Sequence, residues 1–536
     1  MSSGSSALVI DPSPAVRMMM RNVLSEIGVD HCDIAPSLSE GRKRLREHHY
    51  DIVLSEYNFE TGESGQDMLE EGRKTGFLPP TTLYFIVTAE ASYGTVVNIA
   101  EESPDDYLLK PLNTADLAKR VERAFAKRNL MLDVLQAMEQ GKLETAVKLA
   151  TQHMHGKGKF ARDAARLCCQ LLFRLGKYEE SARLLKALLA QKDLPWARLV
   201  LARVAIRMGD HVTAEAALRE LIAQHPMYLP VYTQLADVCK AQERFADALD
   251  VTEQAIKIAP NSVKRLQFAG HLATSLGDSE KGTAYLMRAV RSSGKLLDMD
   301  ARTVYLLILA AQEKGDAKEA LSMIKQMKLK AQEARDHLVI RSRLNWYAAL
   351  AEAWLSLERR EMLGAIDKVK FVSEAWNEKG FDLPLALDLF KVMDRMYADD
   401  LASTMGSWVH VIALRMCAGK SAQDMLESAL SANQRLSSLV IEAGDYIASV
   451  AKDSARLMVS DALEDATDKL SMIGLQTKNN RLLIAAANAA SRSLQRNNDL
   501  KYAALAKQCL SMVDPPDEEL LARLKWVTDK VEQANT

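Results

Sequence analysis

The sequence predicts a multidomain chain: an α/β doubly wound five-stranded parallel sheet at the N-terminus, then an all-α solenoid of helical hairpins. Three observations predict this. Short apolar runs alternate with polar amphipathic stretches up to about residue 128. Strand-like runs stop beyond that point. In the helical remainder, small residues and prolines recur at a fixed step. A chain of 536 residues is also too long for one core, so the reading divides it into 6–128, 129–335 and 336–536.

Ala7-Leu8-Val9-Ile10 is a short apolar run, as suits a strand buried on both faces. A helix follows from Pro14 to Gly28, with Ser13 as its cap and Gly28 at its end. Ile52-Val53-Leu54, Leu83 to Val87 and Tyr107-Leu108-Leu109 read as further strands. Leu38–His48, Gln66–Lys74 and Tyr93–Glu101 read as the covering helices. In open parallel sheets the ligand site lies at the carboxyl ends of the strands. Asp11, Glu56, Thr88 and Lys110 all fall there.

The helical part carries a 34-residue step. Ala214, Ala248 and Gly282 keep it, as do Leu221, Ala255 and Ala289, and Pro226 and Pro260. Gly209 and Gly277 stand two steps apart with Glu243 between them. Each residue type has a mechanical role: glycine ends the first helix of a pair, a small residue lets the second pack closely, and proline stops it. Gly141, Gly176 and Gly315 extend the pattern less regularly, giving about six hairpins from 131 to roughly 330. Beyond 340 the chain stays helical without a clean period. Trp346, Leu350 and Trp354 share a helical face there, and Pro515 to Glu519 reads as the start of a last helix with Leu520, Leu524, Val527 and Val531 on one stripe.

The segments Tyr50 to Phe59 and Pro104-Asp105-Asp106-Tyr107-Leu108-Leu109-Lys110-Pro111 resemble the acceptor strand and the lysine strand of the two-component response regulator receiver domain (CheY-like). Asp11, Thr88, Ala89, Tyr107, Lys110 and Pro111 fit that family's pattern. The resemblance implies that Asp11 belongs to an acid pocket, that Thr88 and Lys110 contact a phosphoryl group, and that Tyr107 reports its state. Two positions depart. Glu56 stands where the family carries its phosphorylated aspartate, and Pro12 replaces the second metal-holding acid. The extra methylene of Glu56 moves its carboxylate outward by roughly 1.5 Å. Misplacement of about that size costs in-line phosphoryl transfer on the order of 100-fold. Asp11 and Glu56 remain as carboxylates for Mg²⁺, a site weakened by Pro12. Three readings of Glu56 stay open: it pairs with Lys110 and Thr88 in an active-like lock, it is inert, or it is itself phosphorylated. Asp51 reads as a solvated strand-entry residue.

The 34-residue step resembles that of tetratricopeptide repeats, with Gly209, Ala214, Pro226, Ala248, Ala255, Pro260, Gly277 and Gly282 at structural positions. Such hairpins imply a groove for a protein or peptide partner. Lys240, Arg244, Arg265 and Arg288 are mid-array charges that such a groove could use. A net charge of −2 gives no case for nucleic acid. No run is long enough to span a membrane, the apolar run at Ala7–Ile10 is too short for a signal peptide, and the six cysteines form no CxxC pair. The expectation is a cytoplasmic, non-enzymatic signalling adaptor needing no cofactor. The rivals are an authentic phosphorelay protein acted on by a histidine kinase, and an enzyme within 336–536. Gly156 to Lys159 lacks phosphate-loop spacing, and His153 and His155 lack acidic or cysteine partners at ligand spacing.

Overall fold

The computed structural model describes residues 5–57, 59, 64–88, 104–110, 114–156, 158–293, 296, 299–334, 337–396, 402–460, 462–514, 521, 524 and 527. Ala89, the Tyr93–Glu101 segment, Pro111 and Pro515 to Leu520 lie outside them, as does Val531. The chain divides into two compact units. One comprises 1–240 with 247–269 and 288–298; the other comprises 241–246, 270–287 and 299–536.

The first unit opens with β1 (Ser6–Ile10), α1 (Pro14–Glu26), β2 (His31–Ala35), α2 (Leu38–Glu47), β3 (Ile52–Glu56), α3 (Gly65–Thr75), β4 (Leu83–Thr88), β5 (Asp106–Leu109) and α4 (Thr114–Leu130). All strand pairs are parallel, in the order β2-β1-β3-β4-β5. Alternation along the strands splits the core in two. Val9, Leu54 and Phe85 pack with Leu24 of α1 and Leu117 and Val121 of α4. Ile10, Val53 and Tyr84 pack on the other face with Leu38 of α2 and Met68 of α3. β2 escaped the sequence reading. It is an edge strand, His-Cys-Asp-Ile-Ala, buried fully only at Ala35, so it carries no apolar run. Ser13 precedes α1 as predicted, but its side chain makes no capping hydrogen bond.

Asp51 is a correction. It is half-buried rather than solvated: its Oδ2 accepts from the Ser6 backbone at 3.0 Å, and its Oδ1 accepts from Arg128 Nη1 at 3.0 Å. Arg128 sits in the last turn of α4 and stacks 4.4 Å from the Phe125 ring. Just beyond, Met131 is buried against Phe160 and Ala164. The sheet domain therefore meets the first helices through packed side chains.

Six hairpins follow, as the sequence predicts: α5 (Leu132–Glu139) with α6 (Leu143–His155), α7 (Ala161–Arg174) with α8 (Tyr178–Gln191), α9 (Pro195–Arg207) with α10 (His211–Gln224), α11 (Leu229–Ala241) with α12 (Phe245–Ile258), α13 (Val263–Ser275) with α14 (Ser279–Ser293), and α15 (Ala301–Glu313) with α16 (Ala317–Glu333). Gly209 and Gly277 have φ of +84° and +94°, and each is followed by an aspartate, Asp210 or Asp278, that accepts from a backbone N–H in the first turn of the second helix. Ala214, Ala248 and Ala255 are buried between helices, and Pro226 and Pro260 lie just past α10 and α12. At Gly282 a Cβ would stand 2.1 Å from Thr274 Oγ1.

The second unit continues with α17 (Leu338–Glu358), α18 (Met362–Glu374), α19 (Leu383–Arg395), α20 (Ala402–Met416), α21 (Lys420–Ser428), α22 (Gln434–Val459), α23 (Leu463–Thr477), α24 (Asn480–Asn497) and α25 (Leu500–Met512). Trp346, Leu350 and Trp354 are buried on α17. A polar knot stands inside this unit. Arg302 and Asp388, 2% and 1% exposed, form a two-pronged pair at 2.7 and 3.2 Å. Among the described residues no helix is long and apolar enough to cross a membrane.

Candidate signalling site

The ends of β1, β3 and β5 bring three charged side chains together. Asp11, directly after β1, is 1% exposed; its Oδ1 accepts from Ser13 N at 2.8 Å and its Oδ2 from Lys110 Nζ at 2.7 Å. Glu56 ends β3; its Oε1 accepts from Tyr57 N at 2.7 Å and its Oε2 from the same Lys110 Nζ at 2.5 Å. Burial opposes the charge on Lys110, but the hydrogen bonds and charges of Asp11 and Glu56 outweigh it and raise its pKa above the ordinary lysine value.

Thr88 is buried at the end of β4, and its carbonyl accepts from Lys110 N at 2.7 Å, which fixes where the lysine leaves the sheet. Tyr107 lies within β5, half-buried against the α2/α3 side of the core. Asp11, Glu56 and Lys110 thus converge through their side chains. Thr88 joins them through its backbone, and Tyr107 stands further back along its strand.

Other residues of the site were not read from the sequence. Arg17, on α1, donates from Nη1 to the carbonyls of Asp11 at 2.5 Å and Pro12 at 3.0 Å. Gly65 lies where any Cβ would come within 2.2 Å of the Glu56 carbonyl, and its own carbonyl accepts from Tyr84 Oη at 2.6 Å. Outside the site, at the opposite ends of β4 and β5, Asp105 of the lysine-strand motif accepts from Tyr84 N at 2.8 Å, and burial pushes its carboxyl pKa up. Arg17 sits one turn into α1 and Gly65 at the start of α3; nothing in their local sequence marks either.

The donor set does not suit a resident Mg²⁺. Both carboxylates already hold the Lys110 ammonium, Pro12 supplies no side-chain oxygen, and its carbonyl accepts from Arg17. Among the described residues no group of three or more His, Cys, Asp or Glu side chains is placed to hold a metal.

Residues 7–122 match the family described as the response regulator receiver domain. The N-terminal fold is a receiver domain. Over 120 residues it is 23% identical to the chemotaxis protein CheY-3 of Vibrio cholerae serotype O1, spanning 22% of this chain and 91% of that protein. Over 122 residues it is 24% identical to the chemotaxis protein CheY of Pseudomonas aeruginosa, spanning 23% of this chain and 97% of that one. A CheY-like receiver structure from Methanospirillum hungatei aligns at 22% identity with a TM-score of 0.22, over 24% of this chain and 98% of that one. Behind the receiver, 172–236 and 205–267 match the tetratricopeptide repeat family. A crystal structure of MamA protein aligns at 16% identity with a TM-score of 0.27, covering 31% of this chain and 92% of that one.

The mid-array charges separate. Lys240 lies 5.6 Å over the Phe268 ring and Arg265 lines a cavity beside it. Arg288 instead donates to the Pro260 carbonyl at 3.1 Å, and Arg244 to Gln242 at 3.0 Å. His153 does have an acidic partner, Asp133 at 2.9 Å, contributed by α5 and so invisible to local spacing.

Proposed function

We propose that the protein is a response-regulator-type signalling adaptor in which the receiver domain works without phosphate and positions a protein-binding repeat array. The observation that carries this is Lys110, whose ammonium is shared by Asp11 and Glu56 at 2.7 and 2.5 Å. In the receiver family that lysine meets a phosphoryl oxygen. Here Glu56 supplies the anion permanently. Asp11 is the acid-pocket residue in this reading, Thr88 and Tyr107 are the switch equivalents, and the Asp11–Glu56 pair is at best a weak Mg²⁺ site. The proposed division stays 6–128 for the receiver, 129–335 for the repeats and 336–536 for a further helical region.

A receiver joined to tetratricopeptide repeats combines two kinds of module that are ordinarily regulatory or binding rather than catalytic. We read the whole as an intracellular adaptor, not an enzyme, with a protein or peptide as its partner. A path for positioning exists within the first unit. β3 carries Glu56 at one end; Asp51, just before its other end, holds Arg128, three residues from the buried Met131. Hydrogen-exchange mass spectrometry on the full chain tests the reading. Glu56→Gln should raise exchange in β3 and β5 and also in α4 and α5. A change confined to the three strand ends would sink the positioning role.

A further inference from the structure

A cavity of about 100 Å³ opens inside the second unit, lined from α13, α14, α15, α17 and α19. Leu306, Leu309, Ala310 and Trp354 give it apolar wall. Thr283 and Tyr305 add hydroxyls, and Asp388, Lys391 and Glu313 add charge. The size limits what can enter. An apolar cavity of about 150 Å³ takes a benzene-sized ligand, so this one admits a molecule of roughly four to six non-hydrogen atoms.

The charges around it sort into pairs and a remainder. Both oxygens of Asp388 accept from Arg302, at 2.7 and 3.2 Å. Arg395, 3.9 Å over the Trp354 ring, has Glu358 at 3.3 Å. Lys391 and Glu313 are left, one cation and one carboxylate, at different depths: Lys391 is half-buried and Glu313 is exposed. The Lys391 ammonium has three N–H donors. Its hydrogen bond within the protein is a long one, to the Thr274 carbonyl at 3.5 Å. Burial lowers its pKa against the pull of Asp388, while Arg302 adds to the lowering. A cation in that position gains from an anion placed against it. A simple anion would satisfy Lys391 but meet the charge of Glu313 at the mouth. A ligand carrying both signs matches both groups and adds no net charge to the cavity.

We propose that this cavity binds a small zwitterion of the α-amino-acid type, its carboxylate on Lys391 Nζ, its ammonium toward Glu313 and its short side chain against Leu309 and Ala310. Such a site gives the chain a chemical input that does not pass through the receiver.

The test is ligand-observed saturation-transfer NMR on the full chain with four probes: alanine, propionate, which lacks the ammonium, ethylamine, which lacks the carboxylate, and phenylalanine, which is too large. Alanine should bind about threefold tighter than propionate and at least about tenfold tighter than ethylamine, and phenylalanine should not compete with it. Lys391→Met should weaken alanine at least about tenfold, with the circular dichroism spectrum and urea midpoint as folding controls. Glu313→Gln, an exposed change that leaves the wall intact, should make alanine and propionate bind equally. No alanine binding at about 10 mM would overturn the proposal. So would ethylamine binding as tightly as alanine, phenylalanine competing with alanine, or alanine affinity unchanged in Lys391→Met. Propionate equal to alanine on the native protein would overturn the zwitterion assignment.

Discussion

Lys110 and Glu56 are joined at 2.5 Å across the strand ends of the receiver, with the lysine also held by Asp11 at 2.7 Å. Both carboxylates are nearly inaccessible, Asp11 at 1% and Glu56 at 8% exposed. The lysine therefore neutralises charge that would otherwise be buried against itself.

Removing that lysine should cost folding. Lys110→Met leaves two facing carboxylates without a cation and should lower stability by about 2–3 kcal/mol, read from the urea midpoint of the receiver transition. In the native protein, although burial opposes it, the folded pKa of Lys110 is raised above the ordinary lysine value of 10.5 by the hydrogen bonds and charges of Asp11 and Glu56. Its contribution is full below that value and is lost as the pH rises through the folded pKa. The stability difference between native protein and Lys110→Met should shrink above about pH 10.5.

Gly65→Ala should disturb the same site sterically. A Cβ there would stand 2.2 Å from the Glu56 carbonyl and 2.6 Å from Ser55 Oγ. Because the first of these atoms is backbone, the strand end must move, at a cost of about 1–3 kcal/mol. Melting temperature reads the cost, and a shifted Tyr57 amide resonance reads the displacement of Glu56, which accepts from that amide.

The second unit should lose stability when Arg302 is replaced. Asp388 would remain 1% exposed with its charge unpaired, so Arg302→Leu should cost about 3–5 kcal/mol. The double variant Arg302→Leu with Asp388→Leu should cost less than Arg302→Leu alone. A double-mutant cycle on denaturation midpoints measures the coupling.

Acid should weaken the same unit through His271. Burial lowers its pKa from 6.5 to about 4, against the pull of Asp300, while Arg302 adds to the lowering. Its ring nitrogen meets Thr303 Oγ1 at 2.9 Å and Asp300 Oδ2 at 3.6 Å. The unfolded chain takes up the proton first as pH falls, so stability is full above about pH 6.5 and declines toward pH 4, by about 1–2 kcal/mol between pH 7 and 5. His271→Gln should flatten that slope in denaturant titrations.

What the sequence revealed follows from how far apart the interacting residues lie. The 34-residue step was legible because each hairpin packs mainly on its neighbours, so glycine, alanine and proline positions repeat. Glu243 looked like a gap in the glycine series. It has φ of +58°, and its carboxylate accepts from Ser421 N and Ala422 N at 3.1 and 3.2 Å, 178 and 179 positions away. That partnership gives the glutamate a use no glycine could serve, and no repeat signals it. The Arg302–Asp388 pair, 86 residues apart, is hidden for the same reason. In the receiver, Asp11, Glu56 and Lys110 were legible because strand ends in a parallel sheet converge. Arg17 and Asp51 were not, since their partners are backbone carbonyls or a helix far along the chain. β2 was missed because an edge strand does not need an apolar run.

The central claim is that Glu56 substitutes for a phosphoryl group rather than accepting one. Intact-protein mass spectrometry of the full chain after incubation with acetyl phosphate and Mg²⁺ tests it most directly. The account predicts no phosphoryl adduct on the native protein and the same result for Glu56→Gln. An adduct on the native protein that Glu56→Gln abolishes would contradict it and establish this receiver as an authentic phosphoacceptor.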